Sequence, residues 1–204
     1  MIHIISEVRS GSSSYKKYLE DKYDLYTGPH NIHRDGEDYP PSEFCKKLEY
    51  NEESILKLVH KINKSKRMMV LKNHYSQLIT MNNGKNNNTF DAIMNINADR
   101  QVLMRRNKLE QSLSLAYSET TGNWAGGDQM VHISNETFDQ AVAKVFCNYK
   151  KFYNWAIAEK CKIIWFEDIV HNLPDFQVSS PKDQTIENLN KLVMRFHYNM
   201  KGDL

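Results

Sequence analysis

Four short apolar runs, each bounded by polar residues, alternate along the chain with longer segments of helical period. Runs of this kind are typical of buried strands, and their alternation with helices favours an α/β domain with a mostly parallel sheet. The intervening helices would form right-handed crossovers that cover the sheet. We therefore predict strands at residues 2–6, 67–72, 99–105 and 162–166, in a central sheet of about four strands flanked by helices.

Five segments are predicted to be helices. In the second, apolar residues recur at spacings of three and four, which marks one buried face. The third begins at Asn107, with Glu110 three residues on, the spacing of a capping box. The predicted helices cover residues 12–21, 51 or 52 to 63, the segment that Asn107 caps, 135–160 and 183–198.

The segments between these elements are predicted to be loops. Residues 27–43 contain two glycines and three prolines, and so long an irregular segment in a compact domain commonly serves as a lid or binding loop. The asparagine-rich residues 82–88 and the proline-containing residues 172–182 are predicted to be ordinary connections.

Composition narrows the class of protein. A chain of 204 residues can bury one good core, so residues 1–204 are predicted to form a single domain. A formal net charge of +2 argues against bulk binding of nucleic acid. The three cysteines have neither zinc-site nor disulfide spacing, and no stretch approaches the roughly 18 apolar residues of a membrane span. We therefore expect a cytoplasmic protein without a membrane span.

The loop after the first predicted strand reads Glu7-Val8-Arg9-Ser10-Gly11-Ser12-Ser13-Ser14 and leads into a helix. Backbone N–H groups at a helix N-terminus point outward and the helix dipole favours an anion, so a phosphate-like group is the natural ligand. A nucleoside-triphosphatase loop needs the pattern G-x-x-x-x-G-K-[ST], whereas this loop has one glycine and no such lysine. A serine-rich turn that simply caps the helix is the alternative.

Lys72 and His74 stand two residues apart where a middle strand leaves the sheet. Residues two apart on an extended segment face the same side, so both side chains can enter one crevice beyond the carboxyl ends of the strands. There a histidine can act as a base while a lysine neutralises a leaving group. The alternative is a histidine that is merely exposed or hydrogen-bonded at a strand end.

Arg106 follows the third predicted strand, and Ser114 lies about two turns into the next helix. Both side chains could therefore hold one phosphate at the same edge of the sheet. An arginine in this position that is simply solvated is the alternative.

Taken in order, these three motifs resemble the sulfotransferase family that uses 3′-phosphoadenosine 5′-phosphosulfate (PAPS). The resemblance is sharpest at residues 102–124, which are similar to the trehalose-type and lipopolysaccharide-type bacterial sulfotransferases. Residues 162–168 are also similar to the late strand of that family, which ends in an acidic pair.

The resemblance implies a P-loop-like three-layer sandwich and a reaction in which a sulfuryl group passes from PAPS to a hydroxyl. It implies no metal. Arg106 and Ser114 match the pair on the 3′-phosphate. The residues that match the loop on the 5′-phosphosulfate are Arg9, Ser10, Gly11, Ser12 and Ser13.

The same resemblance assigns the catalytic roles. Arg9 matches the basic residue that steadies the bridging oxygen as the sulfuryl group departs, Lys72 matches a second basic residue, and His74 matches the base. In the trehalose-type branch a glutamate after a glycine is the base, and the comparable stretch, residues 27–30, lacks it. Should His74 not be the base, the next candidates are His30, His33 and Glu7.

Adenine and acceptor recognition stay open at this level. The aromatic residue that stacks on adenine in the cytosolic branch falls near Ser14, so Tyr15 or Trp124 would have to substitute for it. The acceptor would be a carbohydrate, a small molecule or a peptide tyrosine. A nucleotide or small-molecule kinase of related fold and a non-catalytic nucleotide-binding module are the alternative functions.

Overall fold

The computed structural model describes residues 1–32, 52–81, 87–124, 129–173, 176 and 186–201. Within these ranges the chain forms one five-stranded parallel sheet with the strand order β2-β3-β1-β4-β5. The strands are β1 (Ile2–Ser6), β2 (Tyr26–His30), β3 (Met69–His74), β4 (Asp99–Met104) and β5 (Lys162–Trp165). The predicted α/β class and parallel sheet are confirmed.

The sequence prediction of about four strands was one short. β2 lies in the segment predicted to be irregular, of which residues 33–43 fall outside the described ranges. Gly28 and Pro29 obscured it, because both residues are depleted in strands. Among the described strands β2 lies at the edge of the sheet and pairs with β3 alone, a position where proline is tolerated.

Eight helices are found in the described ranges. They are α1 (Ser12–Tyr23), α2 (Glu52–Lys64), α3 (Tyr75–Met81), α4 (Asn87–Met94), α5 (Lys108–Thr121), α6 (Asn135–Ala158), α7 (Phe166–Asn172) and α8 (Leu189–Lys201). All five predicted helices are present, although the last begins later than expected, at Leu189. α3, α4 and α7 were not predicted, and α4 includes the last two residues of the loop expected at 82–88.

Helices cover both faces of the sheet, as a three-layer sandwich requires. One face of the sheet packs against α1 and α7 through Ile4, Val70, Leu103, Tyr15, Leu19, Phe166 and Ile169. The other face packs against α2, α4 and α6 through a cluster that includes Ile5, Leu71, Val102, Met104, Ile62, Ile93 and Phe152. Successive strand residues thus point to opposite layers. A third cluster joins α5, α6 and α8.

The sheet topology creates one edge suited to a ligand. Because the strands are parallel, all five carboxyl ends meet at the same edge, with Ser6 level with His74 and Leu103. After β3 the chain passes over β1 to reach β4, so the strand order reverses there. Ligands of open α/β sheets bind beyond the carboxyl ends at such a reversal. None of the helices in the described ranges is long and apolar enough to span a membrane.

Candidate functional site

The loop between β1 and α1 forms a tight turn at the carboxyl edge of the sheet. Arg9 and Gly11 have positive φ angles, 59° and 83°. Gly11 is the N-cap residue of α1, and no side chain caps the helix there. A Cβ atom at Gly11 would lie 2.1 Å from Cε2 of Phe166, so only glycine fits. Ser10 and Ser12 are buried in the turn.

Lys72 is the buried cation of the site. Its side chain is 1% exposed, and its ammonium donates a hydrogen bond of 2.9 Å to the hydroxyl of Ser13. Burial lowers the pKa of Lys72 well below its ordinary value, and the nearby positive charges of Lys16 and Arg9 lower that pKa further. Lys16 is itself buried and pairs with Glu20 at 2.5 Å. Three cations therefore surround the first turn of α1.

Arg9 links the loop to α5. Its Nε donates to the hydroxyl of Ser114 at 2.8 Å, and its Nη1 donates to the carbonyl of Trp124 at 2.6 Å. Trp124 is 43% exposed, so an aromatic surface lies beside the loop. Tyr15 is instead buried, with its hydroxyl donating to Oε1 of Gln101 at 3.0 Å. Of the two aromatic candidates, Trp124 is the one with an accessible ring.

The structure does not bring Arg106 to Ser114. The Arg106 guanidinium binds both oxygens of Asp168, at 2.5 and 2.9 Å, and its carbon lies 4.8 Å from the centre of the Trp165 ring. The backbone N–H of Arg106 donates to Glu167. The acidic pair after β5 therefore holds the turn between β4 and α5, while Ser114 accepts its hydrogen bond from Arg9.

His74 ends β3 and is half-buried. Together with Lys72 it faces the same side of the sheet as Ile4 and Ser6, with which the two residues are in register. Its Nδ1 lies 3.2 Å from Oε1 of Gln77, a contact that suits the tautomer with the proton on Nδ1. Nε2 is then the basic nitrogen. Of the other predicted bases, His30 ends β2, and His33 lies outside the described residues.

Glu7, at the start of the loop, points to the opposite layer. Its Oε1 accepts the backbone N–H of Ser76 at 3.0 Å, and burial raises its pKa to about 7. Lys108 faces the same region, 3.7 Å from the centre of the Tyr149 ring, and burial lowers the pKa of its ammonium to about 8. Two groups that titrate near neutral pH therefore lie beside the loop.

Glu7 and Lys108 line a narrow cleft together with Ser10, Arg105 and Gln111. The sequence motifs single out Glu7 only as an alternative base and assign no role to Arg105, Lys108 or Gln111. One sequence feature could have indicated the cleft: Lys108 and Gln111 are three residues apart and are therefore neighbours on one face of α5.

No group of three or more histidine, cysteine, aspartate or glutamate side chains among the described residues is arranged to hold a metal ion. Fold and loop together define a parallel α/β protein with a strand–loop–helix turn at the carboxyl edge of its sheet. Comparison with protein-family models gave no match, and a search of the curated proteins gave no significant match.

Proposed function

We propose that the protein transfers the sulfuryl group of PAPS to a hydroxyl of an acceptor molecule. The observation that carries this proposal is the buried ammonium of Lys72 on the hydroxyl of Ser13, with Arg9 and Lys16 close by. Burial and the neighbouring positive charges of Lys16 and Arg9 both disfavour the charged ammonium of Lys72, and an anion at the first turn of α1 would stabilise it. A phosphosulfate at the N-terminus of α1 would supply that anion.

The chemical step follows from this arrangement. An oxygen of the acceptor attacks sulfur, its proton passes to Nε2 of His74, and the bond between sulfur and the bridging phosphate oxygen breaks. Arg9 and Lys72 neutralise the negative charge that grows on the leaving phosphate. As in phosphoryl transfer, catalysis consists mainly of in-line positioning and charge neutralisation, and the step needs no metal.

The remainder of the nucleotide would extend along the edge of the sheet. Adenine would stack on the exposed ring of Trp124. For Arg106 and Ser114 to hold the 3′-phosphate together, the hydroxyl of Ser114 would have to exchange its contact with Arg9 for the phosphate. In that complex Arg106 would exchange its contact with the exposed carboxylate of Asp168 for the phosphate. Such an exchange would cost little free energy, because exposed ion pairs contribute little net stability.

The acceptor class is a carbohydrate, a small molecule or a peptide tyrosine. We place the reaction in the cytoplasm, since the thiols of Cys147 and Cys161 are unpaired, as expected in a reducing compartment.

Isothermal titration with adenosine 3′,5′-bisphosphate tests the binding half of the proposal. Arg9→Ala should weaken binding roughly 10- to 100-fold, the usual effect of losing a charge-assisted hydrogen bond. Arg67→Ala is the matched control, because Arg67 precedes β3 at the opposite edge of the sheet. Lack of saturable binding by the unaltered chain up to millimolar nucleotide would refute the proposal.

Consumption of PAPS with a panel of sugars, phenols and tyrosine peptides tests the chemical half. His74→Ala should lower any observed transfer by about 100-fold or more, the usual contribution of a general base, and should leave nucleotide affinity within about twofold. Full transfer by His74→Ala would move the base to another residue. Binding without transfer to any acceptor would favour the non-catalytic module.

A further inference from the structure

Four buried polar atoms that have no hydrogen-bonding partner in the protein belong to residues that line the cleft beside the loop. They are Oε2 of Glu7, Oγ of Ser10, Nε of Arg105 and Oε1 of Gln111. They are four of the seven such side-chain atoms in the described part of the chain, and each parent residue is at most 6% exposed. Each would destabilise the folded chain if it stayed unpaired, because a buried polar atom loses its hydrogen bonds to water.

Three of these side chains are held in place by their other polar atoms. Oε1 of Glu7 accepts from the backbone of Ser76 at 3.0 Å, and Nε2 of Gln111 donates to the carbonyl of Val8 at 2.8 Å. Arg105 donates from Nη1 to the carbonyl of Arg9 and pairs through Nη2 with Glu110. The unpaired atoms therefore cannot turn away to solvent without breaking these contacts.

The chemistry of the four atoms defines what they can bind. Nε of Arg105 donates, Oε1 of Gln111 accepts, the hydroxyl of Ser10 does either, and the carboxyl of Glu7 accepts when ionised. A water molecule, which donates two hydrogen bonds and accepts two, would satisfy all four, whereas an alcohol hydroxyl, which donates one, would satisfy three of them. Ions fit poorly, because an anion would face Glu7 and a cation would face Arg105 and Lys108.

The size of the cleft agrees with a ligand of this kind. Its free volume is about 10 Å³, close to the space that one water molecule needs. Apolar and aromatic side chains, including Leu103, Val145 and Phe152, form the remaining walls. A neutral oxygen with polar partners on one side and an apolar enclosure on the other is typical of buried hydration sites.

We propose that this cleft binds one neutral hydroxyl oxygen, either a water molecule or a hydroxyl of a small alcohol, through Glu7, Ser10, Arg105 and Gln111. The bound oxygen would connect the β1–α1 loop with Arg105, in the turn after β4, and with Gln111 of α5. The water form is independent of the proposed function. The alcohol form rests on it, because the alcohol would then belong to the acceptor.

A crystal structure of the full chain tests the site, with one crystal untreated and one soaked in ethylene glycol. We expect a density peak within about 3.2 Å of at least three of the four atoms. A water in both crystals supports a permanent hydration site, and a glycol oxygen that replaces it supports a site open to alcohols. An empty cleft, or one in which the four atoms pair with each other, overturns the proposal.

Oxygen-17 relaxation of water in solution gives a second test that does not depend on crystals. Ser10→Ala removes one of the four partners and should shorten the residence time of a long-lived water by about tenfold, the usual effect of losing one hydrogen bond. Ser112→Ala is the matched control, because Ser112 is also buried with an unpaired hydroxyl but does not line the cleft. Unchanged relaxation in Ser10→Ala contradicts the proposal. A long-lived water in a chain that binds no nucleotide refutes the proposed function alone.

Discussion

Lys72 and Arg106 both lie at the carboxyl edge of the sheet, but their positions in the sequence do not show which side chains they contact. The position of Lys72 at the end of a predicted strand indicates a basic residue of the crevice. The sequence does not show that its ammonium is buried and donates to Ser13. Arg106 has an equally suggestive position, yet its guanidinium binds Asp168. Both outcomes depend on residues far along the chain, and for that reason local motifs could not distinguish them.

Glu7→Gln should make folding less sensitive to pH. Because burial raises the pKa of Glu7 to about 7, its contribution to stability is full below the unfolded value near 4.5 and is lost as pH rises through 7. Between pH 5 and pH 9 the unaltered chain should therefore lose on the order of 3 kcal/mol relative to Glu7→Gln.

Urea unfolding at pH 5 and pH 9 measures this difference, and Glu20→Gln, an acidic residue of α1, serves as a comparison at a second site. A parallel loss of stability in the unaltered chain and Glu7→Gln would show that Glu7 titrates at its ordinary pKa.

Trp124→Ala should weaken adenosine 3′,5′-bisphosphate binding without changing the affinity for pyrophosphate. Stacking of a base on an aromatic ring is worth about 1–3 kcal/mol, and pyrophosphate has no base. Parallel calorimetric titrations with the two ligands measure the effect. Tyr198→Ala is the control, because Tyr198 is exposed. Trp155 would not serve, since it packs against the core. Equal losses for both ligands would place the adenine elsewhere.

Among the secondary-structure elements, the start of α5 was the best predicted. Oδ1 of Asn107 accepts the backbone N–H of Glu110 at 3.0 Å, as the capping-box spacing indicated. Such a cap involves neighbours in sequence, so its pattern is visible there. β2 shows the opposite case. A Cβ at Gly28 would lie 2.6 Å from the carbonyl oxygen of Val70, so glycine permits close strand pairing that no local pattern reveals.

The helices that were missed follow a similar rule. α3 and α7 begin directly at the ends of β3 and β5, so their apolar residues continue a strand-like run. Each has seven residues, about two turns, which is too short for a helical period to stand out.

Gly11→Ala should destabilise the β1–α1 loop more than Gly122→Ala destabilises the end of α5. Both glycines have positive φ angles, so both variants incur backbone strain of about 1 kcal/mol or more. Only at Gly11 would the new Cβ also overlap the ring of Phe166, which adds about 1–3 kcal/mol for overpacking.

Thermal unfolding of the two variants compares these costs directly, because the space around Gly122 is open to 4 Å. Equal losses of stability would mean that the ring of Phe166 moves aside freely. A larger loss at Gly122 would contradict the described packing of the loop.

For the molecule as a whole, acid should be strongly destabilising because of His3. This residue is fully buried, and burial together with the charge of Arg100 lowers its pKa to about 3. The unfolded chain takes up a proton below about pH 6.5, so the stability contributed by the neutral imidazole is present above that pH and declines as pH falls towards 3.

His3→Gln should remove this dependence while keeping an acceptor for Nδ2 of Asn73, which lies 2.9 Å from Nε2 of His3. Between pH 7 and pH 4 the unaltered chain should lose about 3 kcal/mol more stability than the variant. Circular dichroism during urea titration at the two pH values measures this. The prediction is wrong if both chains lose the same amount.

By itself the sequence determined the α/β class, the parallel sheet, four of the five described strands and the loop between β1 and α1. Alternating apolar runs, caps and turn residues are local features, so they can be read along the chain. Only the tertiary structure decided that Lys72 is buried on Ser13, that Arg9 rather than Arg106 binds Ser114, and that four residues with an unpaired buried atom line one cleft. These contacts join residues that are distant in sequence and that folding brings together. The pKa values of the buried groups change only when the sheet and its helices exclude water from them.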